Sequence, residues 1–75
     1  MIQFYTKNNC PLCDEAKALL DMLNTNNILI EEIDIYQSEV LLEKYQLMIP
    51  VIVYKEKEVY GNEINIENIS RLLSE

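Results

Sequence analysis

The sequence predicts an α/β domain whose strands and helices follow the order β-α-β-α-β-β-α. Apolar runs rich in strand-forming residues recur along the chain, and the segments between them place apolar residues at helical spacing. A Cys-Pro-Leu-Cys turn lies where the first strand gives way to the first helix. The 75 residues allow one domain, residues 1–75, with a small core.

The first half of the chain predicts a strand, a helix and a second strand. Residues 2–5 are apolar and rich in strand formers. Residues 11–24 carry leucine and alanine at helical spacing, and the polar residues 25–27 are expected to end this helix. The second strand is expected at residues 28–35, where its carboxylates suit the edge of a sheet. Together these elements form a right-handed parallel βαβ unit.

A second helix and a third strand are predicted next. Ser38 is expected to cap a short helix that runs to residue 46, with apolar side chains on one face. Pro50 then opens a strand over residues 51–54, because the first position of a strand tolerates a residue without a backbone donor.

The last part of the chain predicts a hairpin and a final helix. Lys55-Glu56 is expected to reverse the chain, although neither residue is a preferred hairpin-turn type. The returning strand covers residues 57–60, and Gly61 ends it. Asn65 is expected to cap a helix over residues 66–73, whose apolar residues share one face.

The Cys10-Pro11-Leu12-Cys13 turn predicts dithiol redox chemistry, because a C-x-x-C pair that opens the helix of a βαβ unit is typical of it. Cys10 is expected at the N-cap, where unpaired N–H groups and the helix dipole favour a thiolate. Pro11 suits the first helical position, and Cys13 lies one turn further on the same face, within reach of a disulfide. Lys7 adds positive charge nearby. We therefore expect the Cys10 thiol to ionise more readily than an ordinary cysteine.

Composition and charge exclude several classes of function. The chain has 13 acidic and 6 basic residues and a net charge of −7, so its surface repels nucleic acids and anionic membranes. No signal peptide and no apolar run long enough to cross a bilayer are evident. Two closely spaced cysteines cannot staple a secreted mini-protein. We therefore expect a cytoplasmic monomer that binds neither nucleic acid nor membrane.

The order of elements and three motifs resemble the glutaredoxins, the shortest members of the thioredoxin superfamily, over nearly the whole chain. The motifs are the Cys-x-x-Cys turn after the first strand, the Ile49-Pro50 bond before the third and Gly61 after the fourth. The resemblance implies a four-stranded mixed sheet of spatial order 2-1-3-4, with three helices, the first and third on one face. It also implies that the Ile49-Pro50 bond is cis and lies against the cysteine pair.

The chain departs from standard glutaredoxins at the positions that bind glutathione. Leu12 stands where those proteins have an aromatic residue, and Met48-Ile49 stands where they have Thr-Val. Their double glycine before an acidic residue is reduced to Gly61, followed by Asn62 and Glu63. The chain is closer to the short bacterial glutaredoxin-like proteins. We expect no bound cofactor, and glutathione or another low-molecular-weight thiol would serve only as a co-substrate.

These observations predict a thiol–disulfide oxidoreductase that reduces a protein or a small-molecule disulfide. Cys10 is the expected nucleophile and Cys13 the resolving thiol. The residues expected to contact the substrate are Lys7, Pro11, Leu12, Ile49, Pro50 and Gly61. No metal site is expected within one chain, since it has no histidine and no further cysteine.

Two alternatives to the oxidoreductase remain open. One is an iron–sulfur or metal carrier that uses Cys10 across a dimer. The other is a redox-silent module of the same fold that binds a protein.

Overall fold

The computed structural model describes residues 1–74, and in this range seven regular elements follow the predicted order β-α-β-α-β-β-α. They are β1 (Ile2–Thr6), α1 (Pro11–Leu23), β2 (Ile30–Asp34), α2 (Glu39–Tyr45), β3 (Val51–Tyr54), β4 (Lys57–Tyr60) and α3 (Ile66–Leu73). The strands form one mixed sheet in the order β2-β1-β3-β4. β1 pairs in parallel with β2 and antiparallel with β3, and β3 pairs antiparallel with β4. The predicted fold class and strand order are confirmed.

The second strand begins later than the sequence suggested, at Ile30 rather than at residue 28. The Asn24 side chain causes this delay, because it donates to the Ile28 carbonyl at 2.7 Å and accepts from the Ile28 N–H at 3.0 Å. Residue 28 is thus held in the connection that follows α1 and cannot join the ladder. Asn27 takes the left-handed conformation expected near the end of a helix, with φ of 54°.

The second strand also ends earlier than expected, because Ile35 starts a short 3₁₀ turn, Ile35–Gln37. The Asp34 carboxylate caps this turn by accepting a hydrogen bond from the Tyr36 N–H at 2.9 Å. Ser38 then caps α2 as predicted, accepting from the Leu41 N–H at 3.4 Å.

The helices cover the sheet on both faces. The main core lies between the sheet and the pair α1 and α3, as the glutaredoxin resemblance implied. Its fully or almost fully buried members include Ile2, Phe4, Cys13, Ala16, Leu20, Ile52, Ile69 and Leu72. Because side chains alternate along a strand, Tyr5 of β1 faces the opposite side and packs on the smaller cluster under α2. None of the helices within residues 1–74 is long and apolar enough to cross a membrane.

The cluster under α2 contains a pair of stacked tyrosines. The rings of Tyr5 and Tyr45 are 4.4 Å apart between centroids, and the Lys44 ammonium lies 5.1 Å from the centre of the Tyr45 ring. Burial and the neighbouring Tyr45 hydroxyl raise the pKa of Tyr5 above its ordinary value. This aromatic stack fixes α2 against the central strand β1.

The acidic strand β2 lies at the edge of the sheet, as its carboxylates predicted. Lys17 of α1 reaches its Glu32 at 3.3 Å and also binds Asp21 one turn further along the helix at 3.2 Å. Burial acts to lower the pKa of Lys17, and hydrogen bonds to these two carboxylates outweigh it and raise the pKa. This partly exposed network connects α1 to the sheet edge.

The hairpin turn predicts a simple stabilising substitution. Lys55 and Glu56 both have positive φ, at 51° and 66°, in a two-residue connection that favours asparagine and glycine. Left-handed backbone costs a residue with a Cβ about 1 kcal/mol or more, so Glu56→Gly is expected to raise the free energy of unfolding by about 1 kcal/mol. Chemical denaturation monitored by circular dichroism measures this change.

Glu58 is a matched control, because it is also exposed but lies within strand β4. Glu58→Gly should destabilise the protein by about 0.5–1 kcal/mol, since glycine weakens a strand interior. Equal effects of the two substitutions would contradict the role given to the backbone conformation of Glu56.

Candidate active site

The two cysteines lie at the N-terminus of α1 and are joined by a disulfide, with their Cα atoms 5.2 Å apart. Cys10 is the N-cap residue and has extended backbone angles, φ −123° and ψ 96°. Pro11 occupies the first helical position. Its missing N–H costs nothing there, because an N–H at this position has no hydrogen-bond partner within the helix. The predicted placement of Cys10 and Pro11 is confirmed.

The helix end provides a hydrogen bond to the outer sulfur. The Cys13 N–H donates to Cys10 Sγ at 3.1 Å. An N–H aimed at sulfur stabilises negative charge there, together with the positive end of the helix dipole. Cys10 is therefore the sulfur whose thiolate this backbone supports.

Burial distinguishes the two cysteines. Cys10 has 9% of its surface exposed to solvent and Cys13 only 1%. An incoming reactant therefore reaches the Cys10 sulfur first. Cys13 packs in the main core with Ala16 and Leu20. No polar or charged side chain is buried among residues 1–74, so no buried carboxylate is available to take a proton from the Cys13 thiol.

Two grooves meet beside the Cys-x-x-Cys turn. The first, here called the α1 groove, has a volume of about 260 Å³ and is lined by Leu12, Glu15, Ala16, Leu19, Pro50, Gly61, Asn62 and Ile64. The second, the Met48 groove, has a volume of about 450 Å³ and is lined by Leu12, Leu47, Met48, Ile49, Tyr60, Gly61, Asn62 and Glu63. Four of the predicted contact residues, Leu12, Ile49, Pro50 and Gly61, are thus brought together around the turn.

The Ile49–Pro50 bond is cis, as the glutaredoxin resemblance implied. Pro50 lines the α1 groove together with Leu12 and is itself buried. Its carbonyl accepts a hydrogen bond from the Gly61 N–H at 3.0 Å. This bond connects the start of β3 to the end of β4 and fixes two walls of the site relative to each other.

Gly61 adopts a backbone conformation that favours glycine. Its φ of +56° lies in the region that side chains with a Cβ rarely adopt. Space is not the constraint, since an added Cβ would meet only the Met48 carbonyl oxygen at 3.7 Å, an ordinary contact distance. Gly61 therefore shapes the loop that separates the two grooves.

The backbone of Ile49 is partly occupied within the chain. Its N–H donates to the Tyr45 carbonyl at 3.1 Å, which also accepts from the Met48 N–H at 2.8 Å. A substrate chain that pairs with the residue before Pro50 would therefore have to use the Ile49 carbonyl.

The other two predicted contact residues lie outside the grooves. Lys7 is exposed and lines a separate depression with Asn8, Asn9, Asp34 and Tyr36, which shares no lining residue with the two grooves. Pro11 is exposed at the start of α1 and borders the turn through its neighbours Cys10 and Leu12. The structure therefore brings Pro11, but not Lys7, next to the residues that line the site.

Sequence reasoning missed Leu47 and Glu15 as lining residues. Leu47 is 95% exposed beside the Met48 groove, which is unusual for a large apolar side chain. Its apolar character directly before Met48-Ile49 was the available signal. Asn62 was noted in the sequence only as a departure from the glutaredoxin pattern, and the fold shows that it and Glu15 line the α1 groove.

Within residues 1–74, histidine, cysteine, aspartate and glutamate do not gather in groups of three or more that could hold a metal ion.

Comparisons with known proteins agree with this geometry. A family model described as Glutaredoxin-like domain (DUF836) matches residues 1–74. The thioredoxin-like protein BC3987 has a solved structure that is 31% identical to this chain, with a TM-score of 0.71 over 97% of this chain and 100% of that one. A threonine-to-alanine mutant of the same protein gives 28% identity and a TM-score of 0.72, over 99% of this chain and 100% of that one.

A structural genomics target from X. campestris, XcR50, is 20% identical, with a TM-score of 0.83 over 97% of this chain and 95% of that one. At this identity the likeness shows the fold alone. No curated protein sequence matches the chain. Because the family model spans nearly the whole chain, including the Cys10–Cys13 turn, the chain belongs to the Glutaredoxin-like domain family (DUF836).

Proposed function

We propose that the protein is a thiol–disulfide oxidoreductase that reduces disulfides through the Cys10–Cys13 pair. The observation that carries this proposal is the disulfide at the N-terminus of α1, where Cys10 is the outer sulfur and accepts a backbone hydrogen bond. Membership of the glutaredoxin-like family and likeness to a thioredoxin-like protein support it.

The reaction proceeds in two exchange steps. In the first, the Cys10 thiolate attacks one sulfur of the substrate disulfide, forming a mixed disulfide and releasing the other substrate sulfur as a thiolate, which takes up a proton. In the second, Cys13 loses its proton to solvent and attacks the Cys10 sulfur. The second substrate sulfur leaves as a thiolate and takes up a proton. The substrate disulfide has then gained the two electrons that Cys10 and Cys13 lose when they form their disulfide. A separate reductant then returns the pair to the dithiol.

The surroundings of the turn favour a protein among the disulfide substrates. Leu12 and Leu47 are large apolar side chains with 62% and 95% of their surface exposed, and both border the Met48 groove. Exposed apolar surface of this kind is typical of sites that bind another chain.

The same exchange chemistry supports a proposal for the cellular compartment and for the reductant. A dithiol pair that must be reduced again after each turnover suits the cytoplasm, where cellular thiols are kept reduced. We propose that a protein or a low-molecular-weight thiol other than glutathione supplies the electrons. The acidic side chains at the grooves, described below, argue against glutathione.

The proposal predicts fast exchange with a simple neutral disulfide. Reduced protein mixed with bis(2-hydroxyethyl) disulfide should form the Cys10–Cys13 disulfide and release two thiols per molecule of substrate. The rate constant should exceed that of a free thiol such as N-acetylcysteine by about tenfold or more, since the helix end supports the Cys10 thiolate and Cys13 resolves without a second encounter. Stopped-flow thiol detection measures it.

A rate no greater than that of the free thiol would contradict the proposal. That result would favour a redox-silent binding module of the same fold.

A further inference from the structure

Charge is distributed unevenly around the Cys-x-x-Cys turn. Glu15 is among the residues that line the α1 groove, and Glu63 is among those that line the Met48 groove. Among the described residues that line these two grooves there is no lysine or arginine. The remaining lining is apolar apart from Asn62, the Tyr60 side chain and backbone groups. A substrate that occupies either groove therefore meets an acidic residue and no basic one.

Glu15 is the carboxylate better placed to act on a substrate. It lies three residues after Leu12, one turn along α1, so both side chains lie on the same side of the helix. Glu15 is exposed. Among the described residues, it takes no part in the ion pairs of Lys17 or in that of Arg71. Its charge is thus available to a ligand in the α1 groove.

Glu63 lies in a more mixed electrostatic setting than Glu15. Besides the Met48 groove, it lines a depression that is also lined by Lys57, Glu58 and Arg71, and Arg71 is paired with Glu67. Because basic residues lie near Glu63 and none lines the groove of Glu15, Glu15 should contribute more than Glu63 to any selection by charge.

We propose that Glu15, assisted by Glu63, makes this site select disulfides that carry a positive charge close to the reactive sulfur. The substrate class would be a disulfide flanked by an amine or by a lysine or arginine side chain. The inference rests on the proposed oxidoreductase function and specifies its substrates. An exposed carboxylate near a ligand cation raises the encounter rate and holds the bound complex, an effect of roughly two- to fivefold per charge at an exposed site.

Three small disulfides of similar size separate charge from other properties. Cystamine carries two ammonium groups, bis(2-hydroxyethyl) disulfide is neutral, and 3,3′-dithiodipropionate carries two carboxylates. Rate constants with the reduced protein are measured at pH 7 and low ionic strength, and the same series is run with N-acetylcysteine amide, a free thiol without a carboxylate. The free thiol corrects for the preference that any thiolate has for a cationic disulfide.

The expected ratio of the cystamine rate to the dithiodipropionate rate is about tenfold or more above that of the free thiol. It should fall as salt is added, because surface charges are screened. Glu15→Gln should lower this ratio by about two- to fivefold for each substrate charge it meets, and Glu63→Gln should lower it less.

Glu31→Gln is the matched control, because it removes one negative charge from the edge strand β2 and lines neither groove. It should leave the ratio unchanged. All three positions are exposed, so the amide variants are expected to fold normally.

Two results would overturn the inference. They differ in whether they also contradict the proposed oxidoreductase function. If the neutral disulfide reacts fast but the ratio equals that of the free thiol, or if Glu15→Gln behaves like Glu31→Gln, charge selection is wrong and the oxidoreductase function stands. If none of the three disulfides reacts faster than with the free thiol, the proposed function itself fails and the selection fails with it.

Discussion

Replacing Cys10 with serine is expected to abolish disulfide reduction, lowering the rate by about three orders of magnitude or more, because a serine hydroxyl is a far weaker nucleophile than a thiolate. Cys13→Ser should behave differently. Its Cys10 sulfur still attacks, but the resolving step is missing, so a mixed disulfide with half of the substrate accumulates on Cys10. Intact-mass spectrometry of each variant after mixing with bis(2-hydroxyethyl) disulfide distinguishes the two outcomes.

The difference in burial explains this asymmetry. Cys13 is 1% exposed and packs among apolar side chains, whereas Cys10 is the more accessible sulfur at the helix end. A Cys10→Ser variant that collects an adduct on Cys13 as fast as Cys13→Ser collects one on Cys10 would reverse the assignment of nucleophile. Circular dichroism of both variants in their reduced forms serves as the control for folding.

The parts of this molecule that the sequence predicted well are specified by local signals. Cys10 at the N-cap, Pro11 at the first helical position and the caps Ser38 and Asn65 each depend on residues within one helical turn. The strands were recognisable from their apolar runs. Even the turn at Lys55-Glu56 was located by the strands on either side, although its residue types do not favour the left-handed backbone that they adopt.

The sheet order and the cis bond were expected only from the resemblance to glutaredoxins. Neither follows from spacing, because strand order depends on which edges meet after the chain has folded. The late start of β2 depended on a side-chain contact between Asn24 and Ile28 that no pattern indicates. These features became visible only in the folded chain.

The composition of the grooves could not be predicted from the sequence. Their walls come from α1, from the connection between α2 and β3 and from the turn after β4, which are distant in the chain. For Lys7 the sequence was misleading, because its closeness to Cys10 along the chain suggested a role at the site. Asn9, between them, adopts a left-handed conformation with φ of 56° that redirects the loop, and Lys7 lines a different depression.

Glutathione is expected to be a poor reductant for this protein. The rate at which it reduces the protein should be lower, by about two orders of magnitude or more, than its rate with an enzyme that has a dedicated glutathione site. Glutathione carries a net negative charge, and the grooves beside Cys10 present Glu15 and Glu63 with no lysine or arginine among their described lining residues. The loop after β4 offers one glycine, Gly61, before Asn62 and Glu63. Losing two or three charge-assisted hydrogen bonds, at about 1.5–3 kcal/mol each, accounts for a deficit of this size.

The test compares wild-type protein and Cys13→Ser with glutathione as the sole reductant and bis(2-hydroxyethyl) disulfide as the substrate. Turnover should be low for both, and dithiothreitol, an uncharged dithiol, should restore it for the wild type. Introducing a cation at the groove with Glu15→Lys should raise the glutathione rate several-fold, since it replaces repulsion by attraction, whereas Glu31→Lys on the distant edge strand should change it little. High turnover retained by Cys13→Ser would instead show a cycle in which Cys10 and glutathione suffice, and the acidic grooves would then have no role in excluding that thiol.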